Sequence, residues 1–228
     1  MNWVIGSVTA ESANLHGEPY SRSISITSKP HQFFIIFLGT ADGRDYYYTS
    51  CTLDGEAMTD LGSIKQDATD GRATMHARYI DVSNWPTGTY TLYYNVGTGG
   101  SPDYGGLAFY LVSGSDGNDL LEDTAVVAGT ADPTGTVTTT VENTLIVDAF
   151  YSESGSNLTC HADQTSLWQI DPESSGNRFG GSYKVVKAAG DYTMSWAGVN
   201  NRWAQISAAF NIAHNGGGGI VLRAMLIK

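Results

Sequence analysis

Thr87-Gly88-Thr89-Tyr90-Thr91-Leu92-Tyr93-Tyr94-Asn95-Val96 decides the fold class of this chain. Tyr90, Leu92, Tyr94 and Val96 fall on one face, with Thr89, Thr91, Tyr93 and Asn95 opposite. Successive side chains of a strand point to opposite sides of a sheet, so this period of two predicts a half-buried strand. Trp85-Pro86-Thr87-Gly88 supplies a turn just ahead of it.

The same pattern recurs outward in both directions. Tyr192, Met194 and Trp196 alternate with Asp191, Thr193 and Ser195, and Ala204, Ile206, Ala208, Phe210 and Ile212 form one stripe. Gln32-Phe33-Phe34-Ile35-Ile36-Phe37-Leu38 and Thr144-Leu145-Ile146-Val147-Asp148-Ala149-Phe150 are near-continuous apolar runs, as strands covered on both faces should be. Asp42-Gly43, Asp54-Gly55, Asp70-Gly71 and Asp116-Gly117 are tight-turn dipeptides, since both residues tolerate positive φ. Roughly a dozen or more strand-like segments result, with short helical turns expected only around residues 56–61 and 118–123.

The 228 residues suit one large β domain, and 27 glycines with only 15% charged residues are a strand-and-turn composition. The expected architecture is all-β, a single two-sheet antiparallel sandwich. Residues 20–212 form the sandwich, 1–19 an N-terminal arm, and 213–228 a glycine-rich joint with a C-terminal strand. No fixed-period repeat of the solenoid or propeller kind is seen.

A net charge of −11 argues against nucleic acid, whose phosphates need a basic stripe. No apolar run reaches the roughly 18 residues of a membrane helix. The N-terminus lacks the basic and long apolar regions of a secretory signal, so with Met1 as the native start the protein is expected to remain in the cytoplasm where it is made. Cys51 and Cys160 fit no metal-ligand spacing and read as free thiols rather than a disulfide.

Catalytic signatures are missing. His16, His31, His76, His161 and His214 are scattered, no nucleophile elbow occurs, and the glycine-rich stretches match no phosphate loop. Paired carboxylates need no motif. Asp148 draws attention because it interrupts an apolar strand, although a solvated face would explain it. Asp116, Asn118, Asp119, Glu122 and Asp123 crowd one loop without the spacing of a calcium loop, and read as a solvated turn. No metal, no cofactor and no catalytic residue is therefore expected. Exposed aromatics remain: Tyr46, Tyr47, Tyr48 and Trp85 are candidates for stacking on a glycan, which would call for two or three coplanar exposed rings.

From Ser23-Ile24-Ser25-Ile26 through Cys51-Thr52-Leu53-Asp54-Gly55-Glu56-Ala57-Met58-Thr59-Asp60-Leu61-Gly62 to the closing strands at 191–212, the order of segments resembles a jelly-roll or concanavalin-like β-sandwich domain. Such domains occur in phage and other virus structural proteins and in extracellular bacterial proteins. The resemblance covers over four-fifths of the chain, excludes both ends, and attaches no catalytic residue to its motifs. It implies a non-enzymatic virion protein, a capsid decoration or head or tail fibre subunit, assembling with other capsid or tail proteins and with itself, a trimer being the first expectation. The last segment reads first as one more strand of its own sheet and otherwise as a docking strand on a neighbouring subunit; in the docking case Trp3, Val4 and Ile5 at one end, and Ile220, Val221, Leu222, Met225 and Leu226 at the other, are the expected docking residues. A carbohydrate-binding module is the second reading and a polysaccharide-cleaving sandwich the third.

Overall fold

The computed structural model describes residues 3–13, 19–41, 46–66, 73–98, 104–114, 121–153, 158–172, 176–199 and 201–211. About three-quarters of them lie in antiparallel strands, and no α-helix occurs among them. The first half contains β1 (Val4–Ile5), β2 (Thr9–Ala13), β3 (Tyr20–Ile26), β4 (Gln32–Ala41), β5 (Tyr46–Leu53), β6 (Glu56–Ala57), β7 (Thr59–Gln66), β8 (Ala73–Asp81), β9 (Gly88–Thr98) and β10 (Tyr104–Ser113). The second contains β11 (Leu121–Gly129), β12 (Thr134–Thr139), β13 (Thr144–Ser152), β14 (Thr159–Cys160), β15 (Thr165–Ile170), β16 (Arg178–Val186), β17 (Gly190–Ala197) and β18 (Trp203–Phe210).

The all-β antiparallel sandwich expected from the alternating segments is present, with four sheets where two were expected. In the first half, β1 and β2 both pair with β10, which continues to β4, β8 and β7, and a second sheet runs β3-β9-β5-β6. The second half repeats this order: β11-β18-β13-β16-β15 in one sheet and β12-β17-β14 in the other. Counting β1 and β2 as one strand and β6 and β7 as another, both halves follow first-eighth-third-sixth-fifth in one sheet and second-seventh-fourth in the other, a jelly-roll-like order. The described residues thus form a tandem of two jelly-roll-like units.

Side chains carry the same duplication. Gly88-Thr89-Tyr90-Thr91-Leu92-Tyr93-Tyr94 and Gly190-Asp191-Tyr192-Thr193-Met194-Ser195-Trp196 share Gly-x-Tyr-Thr, then Leu or Met, then an aromatic at the end. Cys51 pairs across the ladder with Tyr94, and Cys160 with Trp196. The hydroxyl of Tyr90 donates to the carbonyl of Pro86 at 2.6 Å, and that of Tyr192 to Ala188 at 2.8 Å.

The two rolls pack through their larger sheets, giving four layers. Phe33, Ile35 and Phe37 of β4 enter the central core with Leu145, Val147, Ala149 and Tyr151 of β13, while Phe34, Ile36 and Leu38 point into the first roll's own interior. The inner sheets are therefore covered on both faces, apolar over residues 33–38 of β4 and carrying buried polar side chains on the inward face of the second roll, and the outer strands β3, β9, β12 and β17 alternate. Phe210 stacks on Phe33 at 4.5 Å between ring centres, and Trp168 lies 6.0 Å from both Phe37 and Tyr110. β18, expected to be half-buried, is buried along its whole length because it lies inside this stack.

Two further expectations change. The Asp54-Gly55 turn, with φ of 53° and 87°, closes the β5–β6 hairpin, so the expected helical turn at 56–61 is instead strand, β6 and the start of β7. The N-terminal arm is not an addition to the sandwich. Trp3 and Ile5 are 2% and 6% exposed inside the central core, and the Trp3 indole N–H donates to the Asn143 carbonyl at 3.2 Å. β1 and β2 are the first strand of the first jelly roll, interrupted at residues 6–8.

Candidate functional site

The β8–β9 connection, residues 82–87, is longer than its counterpart between β16 and β17, residues 187–189. It carries Trp85 out beside the β5–β6 hairpin. The ring centres of Trp85 and Tyr90 lie 4.8 Å apart with planes at 51°, making a corner rather than a flat platform. Around this corner Asp54, Glu56, Asp81 and Asn84 complete a shallow depression of about 440 Å³, floored by Ile80. Four of the five tryptophans are at most 7% exposed, and Trp85 alone is half-buried.

The depression's polar groups are mostly uncommitted. One carboxylate oxygen of Asp81 accepts from the Ser83 amide and hydroxyl at 2.8 and 2.5 Å, which fixes the loop. Asp54 and Glu56 are exposed on the hairpin, and among the described residues no lysine or arginine lines the site. Among the described residues no group of three or more His, Cys, Asp or Glu is arranged to hold a metal ion.

A second concavity, about 500 Å³, runs between β3 and the β1–β2 edge, lined by Arg22, Lys29, Gln32 and Phe109. Of its two cations, Arg22 is already engaged: it binds Glu11 and the Tyr20 hydroxyl, and lies 5.5 Å from the Phe109 ring centre.

Asp148 is placed differently from the solvated face expected for it. It is fully buried between the two sheets of the second roll. One oxygen accepts from the Ser182 amide at 2.9 Å and hydroxyl at 2.5 Å; the other accepts from Trp196 Nε1 and Gln205 Nε2, both at 2.8 Å. Gln164 extends the network by donating to Ser182 at 2.7 Å and accepting from the Ser195 amide at 2.8 Å. Burial raises the Asp148 carboxyl above its ordinary range, with these donors pulling the other way. Four donors on an enclosed carboxylate describe a structural keystone, with no route for a substrate.

Of the other sequence candidates, Trp3 and Ile5 are buried in the chain's own core, and Val4 is half-buried on β1, which pairs with β10. Ile220, Val221, Leu222, Met225 and Leu226 lie outside the described residues, as do the side chains of Tyr46, Tyr47 and Tyr48. Trp85 is thus the glycan candidate that can be placed, and its neighbour Tyr90 was legible only as a core residue. In the acidic loop, Glu122 and Asp123 accept from the Thr140 and Thr138 amides at 2.8 and 2.7 Å, tying β11 to β12; Asp116, Asn118 and Asp119 lie outside the described residues. Cys51 and Cys160 are both free thiols, one in each roll, and burial pushes the Cys51 thiol up to about 12.

No protein-family model matches this chain, and comparison with curated proteins and with solved structures likewise finds no match.

Proposed function

We propose that the chain is a virion structural protein, a capsid decoration or head or tail fibre subunit, that works by assembly and not by catalysis. The tandem jelly-roll strand order carries this reading, because the jelly roll recurs in viral capsid domains as well as in lectins. That support is an analogy of fold. The use of the interior acid is consistent with it, since Asp148 serves the packing of its own roll. Assembly then rests on the apolar C-terminal segment Ile220-Val221-Leu222-Arg223-Ala224-Met225-Leu226-Ile227, which adds to a neighbouring copy as a strand.

Removal of residues 213–228 tests this directly. The full chain should run as an oligomer, with a trimer expected, in light-scattering measurements after size exclusion, and should co-sediment with particles. The truncated chain should be monomeric, fail to co-sediment, and keep its thermal transition. Unchanged assembly by the truncated chain would overturn the proposal.

A further inference from the structure

The duplicated tyrosine compares the two rolls at one position. Tyr192 of the second roll lies under a cation of its own chain: Lys184 Nζ stands 5.6 Å from the ring centre, held by the Thr193 carbonyl at 2.8 Å and by Asp163 at 3.2 Å. Tyr90 of the first roll keeps the same hydroxyl bond to the preceding turn but meets Trp85 across an open corner. Asp54, Glu56 and Asp81 surround that corner, and among the described residues no cation lines it. Arg78, on the corresponding strand β8, is ion-paired with Asp60.

We propose that the Trp85–Tyr90 depression binds an organic cation, an alkylammonium or guanidinium group. Two aromatic faces attract such a cation through their negative quadrupoles, and three carboxylates supply the compensating charge. A neutral sugar would leave these carboxylates without counter-charge, and the 51° between the rings removes the flat platform that sugar stacking uses. The site belongs to the loop that the second roll lacks, so it is an addition to the shared scaffold. The inference stands independently of the assembly reading.

Tryptophan fluorescence reports on the site, because the other four indoles are buried. The intact chain is titrated with choline, with methylguanidinium and with a short peptide capped by acetyl at its N-terminus and bearing one free lysine side chain, each against sodium chloride at equal ionic strength and against methyl glucoside. A saturable emission change is expected for the cations and not for the two controls. Trp85→Phe should abolish the signal, and the double variant Asp54→Asn, Glu56→Gln should weaken binding by about tenfold with an unchanged thermal transition. Preference for the peptide assigns the cation to a partner protein's side chain; preference for choline assigns it to a small molecule. No saturable response to any cation, a response to methyl glucoside alone, or undiminished affinity in the double variant overturns the proposal.

Discussion

Asp148 shows how much one residue can organise. Its carboxylate gathers donors from β16, β17 and β18, so its loss strands the Trp196 indole, the Gln205 amide and the Ser182 hydroxyl together. Asp148→Ala should destabilise the chain by about 3–5 kcal/mol, because buried polar groups left without partners keep their full desolvation cost. The pH dependence follows from the raised carboxyl. A carboxyl whose folded pKa exceeds its unfolded one holds its proton more tightly in the folded state. Its contribution is fully present below the unfolded value of about 3.9 and is lost as the pH rises through the folded pKa. Urea titrations of wild type and Asp148→Asn across this range check the sign: wild-type stability relative to the variant should fall with rising pH, then level off. A relative gain over the same interval would contradict it. The sequence flagged this residue as an interruption in an apolar strand but not its burial, since the donors that hold it come from β16, β17 and β18, far away along the chain.

At the scale of the element, close packing between the inner sheets and between neighbouring strands of one sheet requires glycine at particular ladder positions. Gly106 of β10 faces the Phe179 ring, and Gly181 of β16 lies under the Trp168 indole; a Cβ at either would collide with ring atoms. Gly106→Ala should cost about 1–3 kcal/mol through displaced rings and backbone, seen as a lowered thermal midpoint, whereas Gly176→Ala, with open space around it, tests only the strain of its φ of 85°. Strand identity was readable at this scale. Tyr90-Thr91-Leu92-Tyr93-Tyr94 and Tyr192-Thr193-Met194-Ser195-Trp196 alternate as expected because each outer sheet has one wet face. The N-terminal strands were harder to read. β1 has two residues and β2 carries Glu11 and Ser12, so neither shows a period long enough to be distinguished from a polar arm.

For the whole molecule, the four-layer arrangement was encoded in a feature that points away from two sheets. In a two-layer sandwich every strand keeps a solvent face, yet β4 and β13 are near-continuous apolar runs buried on both. Such runs require a third layer, and here they mark the sheets where the two rolls meet. Sequence repetition outside 88–94 and 190–196 is too diluted to announce the duplication, because each roll has adapted its inner strands to a different partner. The Asp148 network is one result, and the apolar interior of the first roll is another. The shared central core has an energetic consequence. Phe33, Phe37 and Tyr110 of one roll and Trp168, Tyr151 and Phe210 of the other are buried chiefly by each other's sheets. Separating the rolls would expose a continuous apolar face, a liability that soluble monomers seldom carry. Calorimetry of the intact chain should therefore give one cooperative transition, with calorimetric and van't Hoff enthalpies equal. Residues 1–114 expressed alone should aggregate or stay unfolded, and should be rescued by co-expression with residues 115–228. Two resolved transitions, or a soluble and folded isolated roll, would mean that each core suffices for itself and that the central layer is only a contact between domains.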